Sequence, residues 1–167
     1  MTVMTDSPTR KIPAKEDRER FEMRQIKAPR ALNEAYDYDE PVPFTRGMRI
    51  ETPGVSTLYI SGTSAVNEYG ESIHVGDMGA QCQRTFENIE ALLASEGADW
   101  HDVVRTTCYL RDMSRDYKVF NQVRKDFYDS RGLRPYPAST AIQATICRED
   151  LLIEIEAIAV IPADRGE

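Results

Sequence analysis

The stretch Ile153-Glu154-Ile155-Glu156-Ala157-Ile158-Ala159-Val160-Ile161 decides the fold. Side chains of a strand alternate between two faces, so a period of two marks a sheet element. Ile153, Ile155, Ala157, Ala159 and Ile161 share one face, apolar and suited to lie under helices. The other face carries Glu154, Glu156, Ile158 and Val160. The strand is read over residues 151–161, and the charged turn Arg148-Glu149-Asp150 joins it to a strand over 139–146. Residues 103–110 are rich in β-branched side chains and read as a further strand. Before the 139–146 strand, Ser114 is expected to cap a helix with Phe120, Val123 and Phe127 as its apolar face, closed by Gly132 and Pro135. An earlier helix opens at Asp77, carries Cys82, Phe86, Ile89 and Leu93 on one stripe, and stops at Gly97. Residues 46–51 and 57–61 flank Thr52-Pro53-Gly54 as strand, turn and strand. Asn67-Glu68-Tyr69-Gly70 is a second turn, with another short strand possible near Ile73. The order β-β-α-β-α-β-β describes an α+β sandwich, two helices on one face of a mixed sheet.

The second face of that sheet is mixed in character. Val104, Thr106, Cys108 and Leu110 alternate with Val103, Arg105, Thr107 and Tyr109; Ile142, Ala144 and Ile146 alternate with Ser139, Ala141, Gln143 and Thr145. Aliphatic groups beside Glu154 and Glu156 suit a half-wet interface, which predicts a symmetric oligomer meeting across this face.

The chain has 167 residues, the length of one domain, and a net charge of -7. An acidic balance argues against nucleic-acid partners. No apolar run reaches membrane-spanning length, and the N-terminus has no secretory h-region. Cys82, Cys108 and Cys147 are odd in number and form no C-x-x-C, which suits a reducing, cytoplasmic setting. With His74 and His101 the only histidines, no metal site is expected. Of residues 1–40, 17 are charged, and Pro8, Pro13 and Pro29 interrupt them. Residues 1–40 are therefore expected to be an extension, partly disordered or docked on a neighbouring subunit, with a short helix over 15–26. Residues 41–162 form the folded domain and 163–167 a tail.

Several segments occur in an order that carries a resemblance: Ile60-Ser61-Gly62, Asn88-Ile89, Asp102-Val103-Val104-Arg105-Thr106-Thr107, Tyr109-Leu110-Arg111-Asp112-Met113, Asn121, Tyr136-Pro137-Ala138, and Ile153 to Ala159. Over about three quarters of its length the chain resembles the reactive intermediate deaminase family, also called YjgF/YER057c/UK114. The resemblance implies a chorismate-mutase-like fold, a homotrimer, and sites in clefts between subunits. It implies hydrolysis of short-lived enamines and imines to 2-keto acids and ammonia, with no cofactor. By position it assigns the water-holding glutamate to Glu154, a backbone contact to Gly62 and an aromatic wall to Phe44. The arginine that grips the substrate carboxylate would stand directly after Pro137-Ala138, where this chain has Ser139; a cysteine position two residues on is Ala141. The chain thus resembles subgroups without that arginine.

Read as chemistry, Glu154 is the best catalytic candidate, because an imine carbon needs a positioned water and a proton shuttle. Glu156, on the same strand face, is read as a pairing residue. Arg134 is the first choice for a replacement anion anchor, ahead of Arg105, Arg111 and Arg148. Gln143 is placed to bond substrate or partner. The expected ligand is a small carboxylic acid. The expected function is a cofactor-independent deaminase; the alternatives are a non-catalytic ligand-binding or interaction protein, and a lyase or ring-opening reaction in the same cleft.

Overall fold

The computed structural model describes residues 22–162. A six-stranded sheet, in the order β1-β2-β3-β6-β4-β5, carries two helices on one face. The elements are β1 (Glu22–Ile26), β2 (Gly47–Thr52), β3 (Val55–Thr63), α1 (Met78–Ala94), β4 (Val103–Leu110), α2 (Met113–Ser130), β5 (Ala138–Gln143) and β6 (Ile153–Pro162). All pairings are antiparallel except β4 with β5, so the sheet is mixed as expected.

The alternation in β6 holds without exception. Ile153, Ile155, Ala157, Ala159 and Ile161 are buried beneath the helices, while Glu154, Glu156 and Ile158 are half-buried and Val160 is exposed on the opposite face. From α1, Phe86 stacks on Phe127 of α2 with ring centroids 4.8 Å apart, and Trp100 closes edge-on at 5.4 Å to both. Such aromatic contacts add directional preference to area burial and fix the helix pair.

Four expectations need correction. First, residues 22–40 are part of the folded unit. Residues 22–26 form a strand where the end of a helix was expected, and Ile26, Leu32 and Ala35 are fully buried in the core. Arg24 bonds Glu96 beyond the end of α1 at 2.8 Å. The charge density of the segment hid three well-spaced apolar anchors; residues 15–21 lie outside the described residues. Second, Asp112 caps α2, its carboxylate accepting from the Arg115 amide at 3.0 Å, so Ser114 is already inside the first turn. Third, a bulge between Val103 and Arg105 turns Val103 into the core and leaves Val104 exposed. An extra residue in a strand shifts every later side chain by one face. Fourth, β5 ends at Gln143, and residues 144–152 form a loop. Arg111 ties that loop down, donating to the carbonyls of Leu151 at 2.7 Å, Ile146 at 3.1 Å and Arg148. Buried Gln81 of α1 adds bonds to Asp150 O and from the Leu152 amide, both 2.8 Å.

Candidate functional site: a glutamate cleft and an arginine edge

One cleft of about 1560 Å³ opens on the face of the sheet away from the helices. Its floor is β6 with Glu154 and Glu156, β4 with Tyr109, and β3 with Ser61 and Gly62. Its walls are residues 33–46 on one side and the 144–151 loop on the other.

A second bulge builds the floor. The β3–β6 register shifts between Ile60 and Thr63, so Ser61 and Gly62 stand where one residue would pair. Ser61 Oγ donates to Thr45 O at 2.7 Å, and Thr63 Oγ1 donates to Ser61 O at 2.9 Å, which pins the kink. Glycine at 62 is a matter of space: a Cβ there would stand 2.8 Å from the Glu154 carboxyl carbon and would overlap Oε1. The Glu154 carboxylate therefore lies flat against bare backbone. No described residue donates a hydrogen bond to it. Burial, then the neighbouring Glu156 charge, raises the Glu154 carboxyl above its ordinary range. Burial also lifts the Tyr109 phenol, helped by Glu156 and Glu154, so it stays protonated beside them.

Cations line the wall. The Arg46 guanidinium lies 5.5 Å from the Tyr38 ring centre and 5.6 Å from that of Phe44, and donates to Asn33 O at 2.9 Å. The Arg148 guanidinium lies 5.4 Å from the same Tyr38 ring centre, and Arg148 donates to Gly70 O at 2.6 Å. These arginines fasten residues 33–46 and the turn at 67–70 to the cleft. Phe44, Gly62 and Glu154 thus share one cleft.

The other candidates do not reach it within one chain. Paired residues on neighbouring strands share a face, and Ser139 pairs Thr106, which pairs Ala157. Ser139, Ala141 and Gln143 therefore face the helices, opposite to Glu154. Gln143 Oε1 accepts from the Met113 amide at 3.0 Å and so serves the start of α2, and Ala141 packs on the core. Arg134 is paired with Asp129 at 2.9 Å and lies over Tyr136 at 4.2 Å, in a small separate hollow with His101 and Pro135. It is spoken for as an anion anchor. Ser139 instead meets Arg124 of α2, whose Nη1 donates to Ser139 Oγ at 3.0 Å. Sequence reasoning missed Arg124 because helical spacing places it beside the Phe120–Phe127 stripe, where it reads as a flanking surface charge. It also missed residues 33–38 as a cleft wall.

Among the described residues, no cluster of His, Cys, Asp and Glu is placed to hold a metal ion, and no helix is long and apolar enough to cross a membrane. A two-helix α+β subunit with a donor-free carboxylate at a sheet bulge, in an open cleft, has the form of a small-molecule site. The chain belongs to the family described as endoribonuclease L-PSP, whose pattern it matches over residues 41–161; this is the YjgF-type family to which reactive intermediate deaminases belong. It is 32% identical over 108 residues to the 3-aminoacrylate deaminase RutC of Acinetobacter baylyi, covering 65% of this chain and 82% of that one. It is 29% identical over 106 residues to the 2-iminobutanoate/2-iminopropanoate deaminase of Dermatophagoides farinae, covering 64% and 79%. Its structure is similar to that of Escherichia coli TdcF with bound serine, with a TM-score of 0.68, 26% identity, and coverage of 83% of this chain and 98% of that one.

Proposed function

We propose that the protein hydrolyses a small imine or enamine bearing a carboxylate, releasing ammonia and a 2-keto acid, in a cleft completed by a second subunit of a homotrimer. The observation that carries the reading is Glu154: a half-buried carboxylate with no protein donor, held against Gly62 and raised by burial. A carboxylate whose hydrogen-bonding capacity is unspent is free to hold a water. That water adds to the iminium carbon while its proton passes to Glu154. The resulting carbinolamine takes that proton from Glu154 on nitrogen; the C–N bond then breaks, ammonia leaves, and the hydroxyl proton passes back to the Glu154 carboxylate as the carbonyl forms. Glu154, raised by burial and by Glu156, can accept and return that proton.

The second subunit enters through geometry. The cleft is larger than the ~300–1000 Å³ of a closed ligand pocket, so one chain leaves it open. The Ser139 face lies on the far side of the same sheet, and β5 is one of the two edge strands of the described sheet. A second copy offering its β5 edge would close the cleft and bring both sets of candidates to one ligand. The exposed outer-face residues Tyr59 and Ile142 are the apolar surface such an assembly would cover.

Ammonia release from enzymatically generated 2-aminoacrylate, wild type beside Glu154→Ala, tests the reaction. Acceleration by wild type that the variant loses is the expected result. No acceleration by a folded wild-type protein, on this substrate or on 2-iminobutanoate, would overturn the reading.

A further inference from the structure

We propose that Arg124, reaching from α2 to Ser139, grips the substrate carboxylate, so that the anion anchor of this chain comes from the helix and not from the strand. The inference rests on the deaminase reading for the identity of the substrate, but its physical basis is separate.

Arg124 is oriented by neutral groups alone. Nη1 donates to Ser139 Oγ at 3.0 Å, Nη2 donates to Asn121 Oδ1 at 2.5 Å, and the guanidinium lies 4.6 Å from the Phe120 ring centre. It makes no ion pair among the described residues. A guanidinium has five N–H groups, and two are used, so a planar pair remains for a carboxylate. Ser139 Oγ also accepts from Thr106 Oγ1 at 3.0 Å. Its oxygen thus receives two donors and also lies 3.9 Å from Cys108 Sγ, which fixes the hydroxyl beside the guanidinium. The spot is reachable: Ser139 is exposed, and β5 is hydrogen-bonded to β4 on one side only.

Four other arginines are committed elsewhere, and Arg105 donates to Thr140 Oγ1 at 3.3 Å on the face of the sheet opposite to Ser139. Arg134 is neutralised by Asp129, Arg111 is spent on three loop carbonyls, and Arg46 and Arg148 hold backbone carbonyls of the cleft wall. Serine at 139 also makes the arrangement possible. Arg124 Nη1 stands 3.0 Å from Ser139 Oγ, so a guanidinium carried on position 139 would start beside the spot that Arg124 reaches.

The test uses the full chain, 2-oxobutanoate as the binding probe and 2-iminobutanoate as the substrate. Arg124→Gln is expected to weaken probe binding and raise KM by about 30-fold, the scale of a lost charge-assisted pair, with kcat changed less than about threefold. Arg124→Lys should retain part of the affinity, since the charge stays but the planar fork is lost. The double variant Arg124→Gln with Ser139→Arg should restore binding to within about fivefold of wild type, an outcome that a merely structural Arg124 would not produce. Glu154→Gln should lower kcat and leave probe binding intact. Wild-type affinity in folded Arg124→Gln, no recovery in the double variant, or no probe binding by wild type would each overturn the proposal. Arg124-dependent probe binding without ammonia release would sink the deaminase reading while the anchor stands.

Discussion

Glu154 and Arg124 stand on opposite sides of one sheet, and their surroundings treat them in opposite ways. Glu154 has been deprived of donors: burial and Glu156 push its carboxyl up, and a glycine clears the backbone beside it. Arg124 has been supplied with neutral partners that fix its direction and leave its charge unmatched. The first arrangement tunes a group to exchange protons. The second holds a permanent charge at a fixed angle. Acid–base work needs the former and anion recognition the latter, and no single environment provides both. Placing them on two faces of a sheet separates the two requirements, and the proposed assembly would reunite them.

The largest effect would break or establish that division of labour. Glu154→Ala and Arg124→Gln should each be nearly inactive at low substrate concentration. Trimers reassembled from an equal mixture should recover about a quarter of wild-type activity, because a random neighbour pair supplies both intact residues one time in four. No recovery after verified subunit exchange would place the two residues in separate sites.

Gly62→Ala comes next. The new methyl displaces the Glu154 carboxylate, so kcat should fall by about 10- to 100-fold while 2-oxobutanoate binding changes little. Equal losses in both would mean that the cleft, and not the edge, holds the carboxylate.

The pH dependence is a smaller effect with a defined sign. If deprotonated Glu154 holds the water, activity falls on the acid side at a pH above the ordinary glutamate range. Glu156→Gln removes the like charge, lowers the Glu154 value and moves that limb to lower pH. The linkage to stability runs the same way. A folded value above the unfolded one favours the fold at low pH, and the benefit is lost as pH rises through the folded value. Glu154→Gln should therefore melt slightly higher than wild type at pH 7, measured by thermal scans at pH 4 and pH 7. The smallest expected change is at Arg134→Ala, whose partner Asp129 is exposed surface chemistry; turnover should stay within about twofold of wild type.

How far the sequence carried the reading depends on the range of the signal. The period of two in β6 and the stripe Cys82, Phe86, Ile89 placed sheet and helix without help. Cap and turn chemistry at Asp77 and Gly97 was equally local. Ser114 was misread because Asp112 and Ser114 are both able caps two residues apart, and only the backbone distinguishes them. The 22–40 segment was misread because Ile26, Leu32 and Ala35 follow no regular period; their burial depends on where the sheet edge lies. The same holds for the site. Glu154, Gly62 and Phe44 were named as one group and share one cleft. Ser139 and Ala141 were grouped with them by the resemblance, and Gln143 by strand alternation with Ser139, but a parity count within one strand cannot say which face of the sheet it joins.

What the sequence determined by itself was therefore local and periodic: two helices, most strands, the turn residues and the family. The tertiary structure alone decided the rest. Two bulges, at 61–62 and at 104, shifted side chains between faces by one residue each, which no propensity records. Pairing across β4, β5 and β6 set which residues look the same way. Helix packing carried Arg124 to Ser139, 15 residues along the chain, and left it there without a carboxylate. These are consequences of register and packing between distant segments, and a linear sequence holds them only in the energy of the whole fold.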